Sequence, residues 1–295
     1  CWNSFENCAL PNRSLSFDGV DNYVDVNVNT ENDFSISGWF KFETADDGNT
    51  IIASNSNDFI RIDNYENQKY FGYNSPTGAN HRGATALLEN TWYHFAVTRS
   101  GSDLSFYLNG DFDGSFNEPP TILGWVKIGV HRNGSQHHFH GNIDEVSIWN
   151  VAQTQEQIQE NMYNNLSGYE DGLISYWNFN DGEGSTLTDL SGSGNHGTIY
   201  GATWVDGNPN EHLVPQEFST IQEAIDHSSD GDTVLVSSAT YYENINLLGK
   251  ALIIASEYII SGDSSHISST IIAVSYTHLR AHETGRNLVC RLLLE

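Results

Sequence analysis

Phe34-Ser35-Ile36-Ser37-Gly38-Trp39-Phe40-Lys41-Phe42 decides how this chain is read. A period of two sends Phe34, Ile36, Phe40 and Phe42 to one side and Trp39 and Lys41 to the other, the pattern of a β-strand with one buried face. The alternation returns in Tyr93, Phe95 and Val97, and again in Leu104, Phe106 and Leu108. Asn109-Gly110 follows the last run directly. This pair suits a two-residue type I′ hairpin, whose central residues both need positive φ. From Ser14 to Trp149 short runs of this kind are bounded by Gly, Asn and Asp. The expected fold is all-β, a sandwich or jellyroll of two packed sheets. One peripheral helix is expected after it, where Thr154 and Gln157 have capping-box spacing and Ile158 and Met162 share a face.

Composition allows such a core. The 295 residues are 38% hydrophobic and 12% aromatic, enough for two modest domains. Against 12 Lys and Arg stand 38 Asp and Glu, a formal net charge of −26. Nucleic acid and anionic membranes are therefore poor partners and cations good ones, although solubility in a salty medium accounts for the same charge. No run of ~18 apolar residues occurs, so no membrane insertion is expected. The cysteines are Cys1, Cys8 and Cys290, and the simplest disulfide would join the first two. The chain starts at Cys1 and its one methionine is Met162, so a secretory signal would lie upstream.

Four ordered motifs carry a family resemblance: Ser14 to Val24, Phe34 to Phe42, Thr91 to Thr98, and Gly141 to Asn150. Together they resemble the laminin-G-like jellyroll family, a concanavalin A-like fold. Gly172 to Phe179, Asp189 to Gly197 and Gly201 to Trp204 resemble the segment that usually opens such a domain, yet here they follow it. They could begin an unfinished second copy, or supply strands that close the sandwich of residues 14–150. The second reading is favoured, because Trp177, Phe179, Ile199 and Trp204 need an apolar surface to cover them.

The pattern changes after a polar linker at 207–212. Phe218 to Asp226 reads as a capped helix, Asp230 to Val236 as a turn into a buried strand, and Tyr242 to Ile245, Leu252 to Ala255 and Thr270 to Ile272 as further strands. This order resembles the start of a right-handed parallel β-helix of the pectin-lyase type, except that Ala239 stands where the family usually has Gly. A solenoid needs at least ~3 stacked repeats, and 213–273 offers one or two, so a truncated β-helix is expected. Residues 274–295 resemble translated sequencing-adapter read-through, a non-native tail. The expected organisation is thus an N-terminal remnant at 1–13, a jellyroll at 14–206, the linker, the truncated β-helix and the tail.

No Gly-x-Ser-x-Gly elbow, His-Glu-x-x-His or phosphate loop occurs, so no catalytic residue is named and the chain is not expected to be an enzyme. Asp18 and Asp144 are the metal candidates, for structural calcium, since the resemblance places the first and last jellyroll strands side by side. A plain Asp-Gly turn would also account for Asp18, and backbone capping for Asp144. His131, His137, His138 and His140 form a cluster that reads more simply as solvated loop histidines than as a zinc site. Trp39, His94 and Tyr107 fall opposite the core on three strands and could form an aromatic ledge for a sugar, unless other segments bury them. Asn12, Asn133 and Asn165 each begin a glycosylation pattern. The expected function is an extracellular or cell-surface module binding a polysaccharide or glycoprotein. The alternatives are a targeting domain for a polysaccharide lyase or hydrolase, and a passive spacer.

Overall fold

The alternating runs of the sequence are strands. The computed structural model describes residues 13–273 except 45–48, 57, 76, 120–123, 163–165, 207–210, 216–217, 229–231, 251 and 257–264. Cys1, Cys8, Asn12, Asn165 and the tail at 274–295 lie outside the described residues.

In chain order the first strands are β1 (Arg13–Asp18), β2 (Tyr23–Asn29), β3 (Phe34–Phe42), β4 (Thr50–Ser54), β5 (Phe59–Tyr65) and β6 (Gln68–Asn74). Then come β7 (Asn80–Leu87), β8 (Trp92–Ser100), β9 (Asp103–Leu108), β10 (Asp111–Asn117), β11 (Gly124–Ile128) and β12 (His140–Trp149). Helix α1 (Gln155–Met162) precedes β13 (Leu173–Trp177), β14 (Thr186–Leu187), β15 (Gly197–Tyr200) and β16 (Thr203–Asp206). The residues Arg13–Val205 form one compact unit.

Two eight-stranded antiparallel sheets make this unit, as a jellyroll sandwich requires. The first runs β10-β9-β8-β3-β12-β1-β16, with β13 also paired to β12. The second runs β14-β15-β2-β11-β4-β5-β6-β7. Phe34, Ile36, Phe40 and Phe42 meet Ile60, Ile62, Phe71 and Tyr73 in one core. The Phe40 and Phe71 rings lie 6.3 Å apart between the sheets. Each such buried ring contributes about 1.5–3 kcal/mol by leaving water.

Local signals hold in detail. Asn109 and Gly110 have φ of 50° and 77° and form the two-residue turn that pairs Leu108 with Asp111. At the start of α1, Thr154 N–H donates to Gln157 Oε1 at 2.9 Å and Gln157 N–H to Thr154 Oγ1 at 3.3 Å, the reciprocal capping box. Ile158 and Met162 are buried.

Residues 172–204 close this sandwich instead of starting another. Strand β12 is split by Glu145, whose φ is 51°. Before that bulge it pairs with β1, Leu15 opposite Ile143, and after it with β13, Val146 opposite Trp177. Strand β15 joins β2, placing Ile199 opposite Val24. Trp177, Phe179 and Ile199 enter the common core and Trp204 packs against it. The loop between β14 and β15 is gathered by Asp189, which accepts N–H groups of Tyr176 (3.0 Å), Ser191 (3.0 Å) and Asn195 (2.8 Å). Burial acts to raise this carboxyl, but those donors outweigh it and hold it below the usual carboxylate range.

The second unit begins at Asp206. It contains β17 (Glu211–Val214), α2 (Ile221–His227), β18 (Thr233–Val236), β19 (Thr240–Tyr241), β20 (Ile253–Ser256) and β21 (Ile271–Ile272). Strands β17, β18 and β20 form one parallel sheet, and β19 with β21 another. Val214, Ile221, Ala224, Ile225, Val234, Val236 and Tyr241 form its core. Two expectations need correction. Glu211 and His212, assigned to the linker, already belong to β17, where His212 Nε2 meets Asp232 Oδ2 at 2.9 Å. Tyr242 to Ile245 is not a strand. Glu243 instead turns its carboxylate to the Ile221 and Gln222 N–H groups, both at 3.0 Å, and Gln222 pairs with the Asn246 backbone. Side chains of α2 thus satisfy groups that a ladder would otherwise need.

Candidate functional site

The aromatic residues picked from the sequence do fall together. Trp39 and His94 are register partners on β3 and β8, with ring centroids 5.2 Å apart. They are nevertheless only 6% and 4% exposed, which removes them as an open ledge. Burial pushes the His94 imidazole down to about 3, so it is neutral. Helix α1 lies across the adjoining hairpin, with Gln155 and Gln159 both donating to the Gly110 carbonyl. Tyr107, half-buried, packs its ring on Phe112 at 5.9 Å.

Asp18 and Asp144 are not brought together. Register places Asp18 opposite His140, four residues along β12 from Asp144, or about 13 Å of strand. Asp18 Oδ1 accepts the Val20 and Asp21 N–H groups at 2.8 and 3.3 Å, an Asx turn. Asp144 is buried beside Trp39 and accepts Glu145 N–H at 2.8 Å. Burial, then the charge of Glu145, pushes its carboxyl well above the usual range. Burial likewise raises Glu145 to about 7, although Tyr176 donates its hydroxyl to it. Among the described residues no group of three or more His, Cys, Asp or Glu is arranged to hold a metal. In the histidine cluster, His131 and His137 instead pack on Phe59, with centroids 5.0 and 6.2 Å away, and His140 Nδ1 lies 3.0 Å from Thr44 Oγ1.

The outer face of the second sheet is different in kind. In β5, Ile60 and Ile62 enter the core, so the same alternation turns Phe59, Arg61, Asp63 and Tyr65 outward. Antiparallel register then sets Gly72 of β6 opposite both Arg61 and Arg82 of β7, and Tyr70 opposite Asp63. Gly72 has no side chain to fill the space between the two arginines. Asp63 clamps both, receiving Arg61 Nη2 at 2.8 Å on Oδ1 and Arg82 Nε at 2.6 Å on Oδ2. Arg61 Nη2 also donates to Asn80 Oδ1 at 2.6 Å. The Arg82 guanidinium lies 4.0 Å above the centre of the Tyr65 ring. Farther across the same face, Tyr23 and Tyr200 stack at 4.7 Å with Lys127 Nζ 4.4 Å from the Tyr23 ring centre.

Asp63 is itself only 2% exposed, so what the arrangement offers a ligand is the guanidinium it orients on Arg82, the Asn80 amide and the Tyr65 ring. Sequence reasoning centred on β3, β8 and β9 passes over it. The signal was present in Phe59-Ile60-Arg61-Ile62-Asp63-Asn64-Tyr65, where charge alternates with isoleucine. Arg82 could not have been joined to it without the β6–β7 register.

Residues 18–159 match the concanavalin A-like lectin/glucanases superfamily. That span ends in α1, before β13 to β16, which complete the same two sheets. No curated protein matches the chain. Among solved structures, a Bacteroides ovatus protein put forward as carbohydrate-binding is 23% identical with a TM-score of 0.57, covering 67% of this chain and 60% of its own. The chain therefore spans 60% of that protein's length. A heptameric SAP-like pentraxin of Limulus polyphemus is 16% identical, with a TM-score of 0.45 over 51% of this chain and 82% of its own. Domain 4 of an extracellular GH43 arabinanase of Geobacillus stearothermophilus, solved with arabinotriose, is 20% identical, with a TM-score of 0.37 over 44% of this chain and 66% of its own. The likeness to the Bacteroides protein shows the fold.

Proposed function

We propose that the chain is a glycan-binding module of an extracellular or cell-surface protein, with its ligand on the outer face of the second sheet. The observation that carries this reading is the Arg61–Asp63–Arg82 clamp beside Tyr65, a ring 46% exposed. The Arg82 guanidinium, held in place by buried Asp63, can pair with neighbouring sugar hydroxyls while the Tyr65 ring covers the apolar face of the sugar. A carbohydrate-binding role put forward for the Bacteroides protein supports the reading. None of these groups needs a metal to meet a sugar, so structural calcium would be a separate property. The parallel ladders of the second unit favour a further reading, that they begin a β-helix and the module targets a polysaccharide lyase or hydrolase to its substrate.

The test is retention of the full chain on immobilised polysaccharides, with calcium and with a chelator. Tyr65→Ala should weaken binding roughly tenfold, at the upper end of what one aromatic contact contributes, with an unchanged melting temperature. Absence of retention on every glycan would overturn the proposal, and a chelator that abolished binding would overturn its metal-free form.

A further inference from the structure

We infer that the sugar held on this face carries a ring carboxylate, as a hexuronate does. The inference rests on the glycan-binding reading and adds the class of ligand. Charge distribution is the first ground. On the outer face of strands β4, β5, β6 and β7 one carboxylate, Asp63, stands against two cations, Arg61 and Arg82. The whole chain has the opposite bias, 38 acidic residues to 12 basic. A surface this acidic repels anions generally, so an anionic ligand needs a local reversal of sign, and these four strands supply it.

The second ground is unused donor capacity. Arg82 commits Nε to Asp63 and holds its guanidinium carbon 4.0 Å from the Tyr65 ring centre, while its two Nη groups make no hydrogen bond among the described residues. Its side chain is 27% exposed, so this pre-oriented fork can be reached from solvent. Arg61 is only 7% exposed, yet its Nε has no acceptor. That atom is closed to solvent, so the donor capacity open to a ligand is that of Arg82, with Arg61 adding its positive charge beneath it. The third ground is shape. A planar guanidinium edge matches a planar carboxylate through two parallel hydrogen bonds, whereas a lysine ammonium offers only a point charge. Tyr65 and Tyr70 flank Asp63 and its arginines, so a pyranose could stack while its carboxylate faces the Arg82 fork.

The experiment compares binding of the full chain, by calorimetry, to a polyuronate, to the same polymer after chemical reduction of its carboxyl groups, and to a sulfated glycan. Polyuronate should bind, and reduction should weaken binding at least tenfold. Arg82→Gln should lose at least the same factor on the polyuronate and clearly less on the reduced polymer, which keeps only the hydroxyl contacts, and Arg82→Lys should not restore the polyuronate affinity. Equal affinity for the reduced polymer, or preference for the sulfated glycan, would overturn the carboxylate inference and leave glycan binding standing. Failure to bind any of the three and any polysaccharide of the wider panel would overturn both. The wild-type comparison stands even where a variant is unstable.

Discussion

If residues 172–204 close the jellyroll, then truncating Trp177 must destabilise the whole unit, whose strands begin at Arg13. Trp177 is fully buried, sits opposite Val146 across β12 and β13, and donates Nε1–H to the Asn195 carbonyl at 3.0 Å. Replacing such a residue by alanine removes a large ring from a packed core and leaves a cavity, a cost of about 3–5 kcal/mol. For a unit of this size each kcal/mol lowers the midpoint by roughly 2–4 °C, so Trp177→Ala should lower it by roughly 6–20 °C. Calorimetry on the full chain reads this directly. Tyr169→Ala is the control, since Tyr169 is 89% exposed and its loss should stay within about 0.5 kcal/mol. A Trp177→Ala transition within about 2 °C of the parent would refute the reasoning, because it would mean that the segment folds apart from the sandwich.

Stability should also fall as pH rises through neutrality. Glu145 titrates near 7 in the fold against an ordinary 4.5, so the folded state binds more protons than the unfolded one in between. Its contribution is full below about 4.5 and is lost as pH climbs through about 7, and buried Asp144, raised in the same direction, adds to the effect. Glu145→Gln should flatten urea midpoints measured from about pH 5 to 8; an unchanged slope would sink this account. Gly141→Ala should cost on the order of 3 kcal/mol in urea unfolding, since φ is 141° and a Cβ there would stand 2.0 Å from the Lys41 carbonyl oxygen. Wild-type stability in that variant would contradict the close approach of β12 to β3. Glu243→Ala should expose the Ile221 and Gln222 N–H groups to hydrogen exchange at a cost of about 1 kcal/mol, leaving the jellyroll transition where it was.

Much of the fold was readable where a local rule and the tertiary structure agree. The two-residue period of Phe34 to Phe42 fixed β3 and its buried side. Asn109-Gly110 fixed a turn, and Thr154 with Gln157 fixed a helix start. The position of Trp177 and Ile199 in the sandwich followed from their need for cover. Other features depend on partners distant in sequence. Nothing in a glutamate signals the positive φ of Glu145, which exists because β12 changes neighbour from β1 to β13. The Glu243 segment has strand composition, yet α2 offers it N–H groups that bind a carboxylate better than a short ladder would.

The same distinction explains why the ledge read from the sequence is closed while a different face stays open at one edge, at Tyr65 and Arg82. Between Ser35 and Trp39 the outward row of β3 carries no charge, and burial disfavours the charged forms of its neighbours His94 and Asp144, so this region can be covered without stranding an ion. On β5 the outward row contains Arg61 and Asp63, and Arg82 arrives beside them. A helix laid over that row would have to desolvate an excess cation, a cost of several kcal/mol that apolar contacts would scarcely offset. Charge therefore keeps the β5 face accessible at its rim, where Tyr65 and the Arg82 fork remain in contact with water. An open surface of this kind, polar enough to resist its own chain and ordered enough to hold a donor fork in place, has the properties that sugar recognition requires.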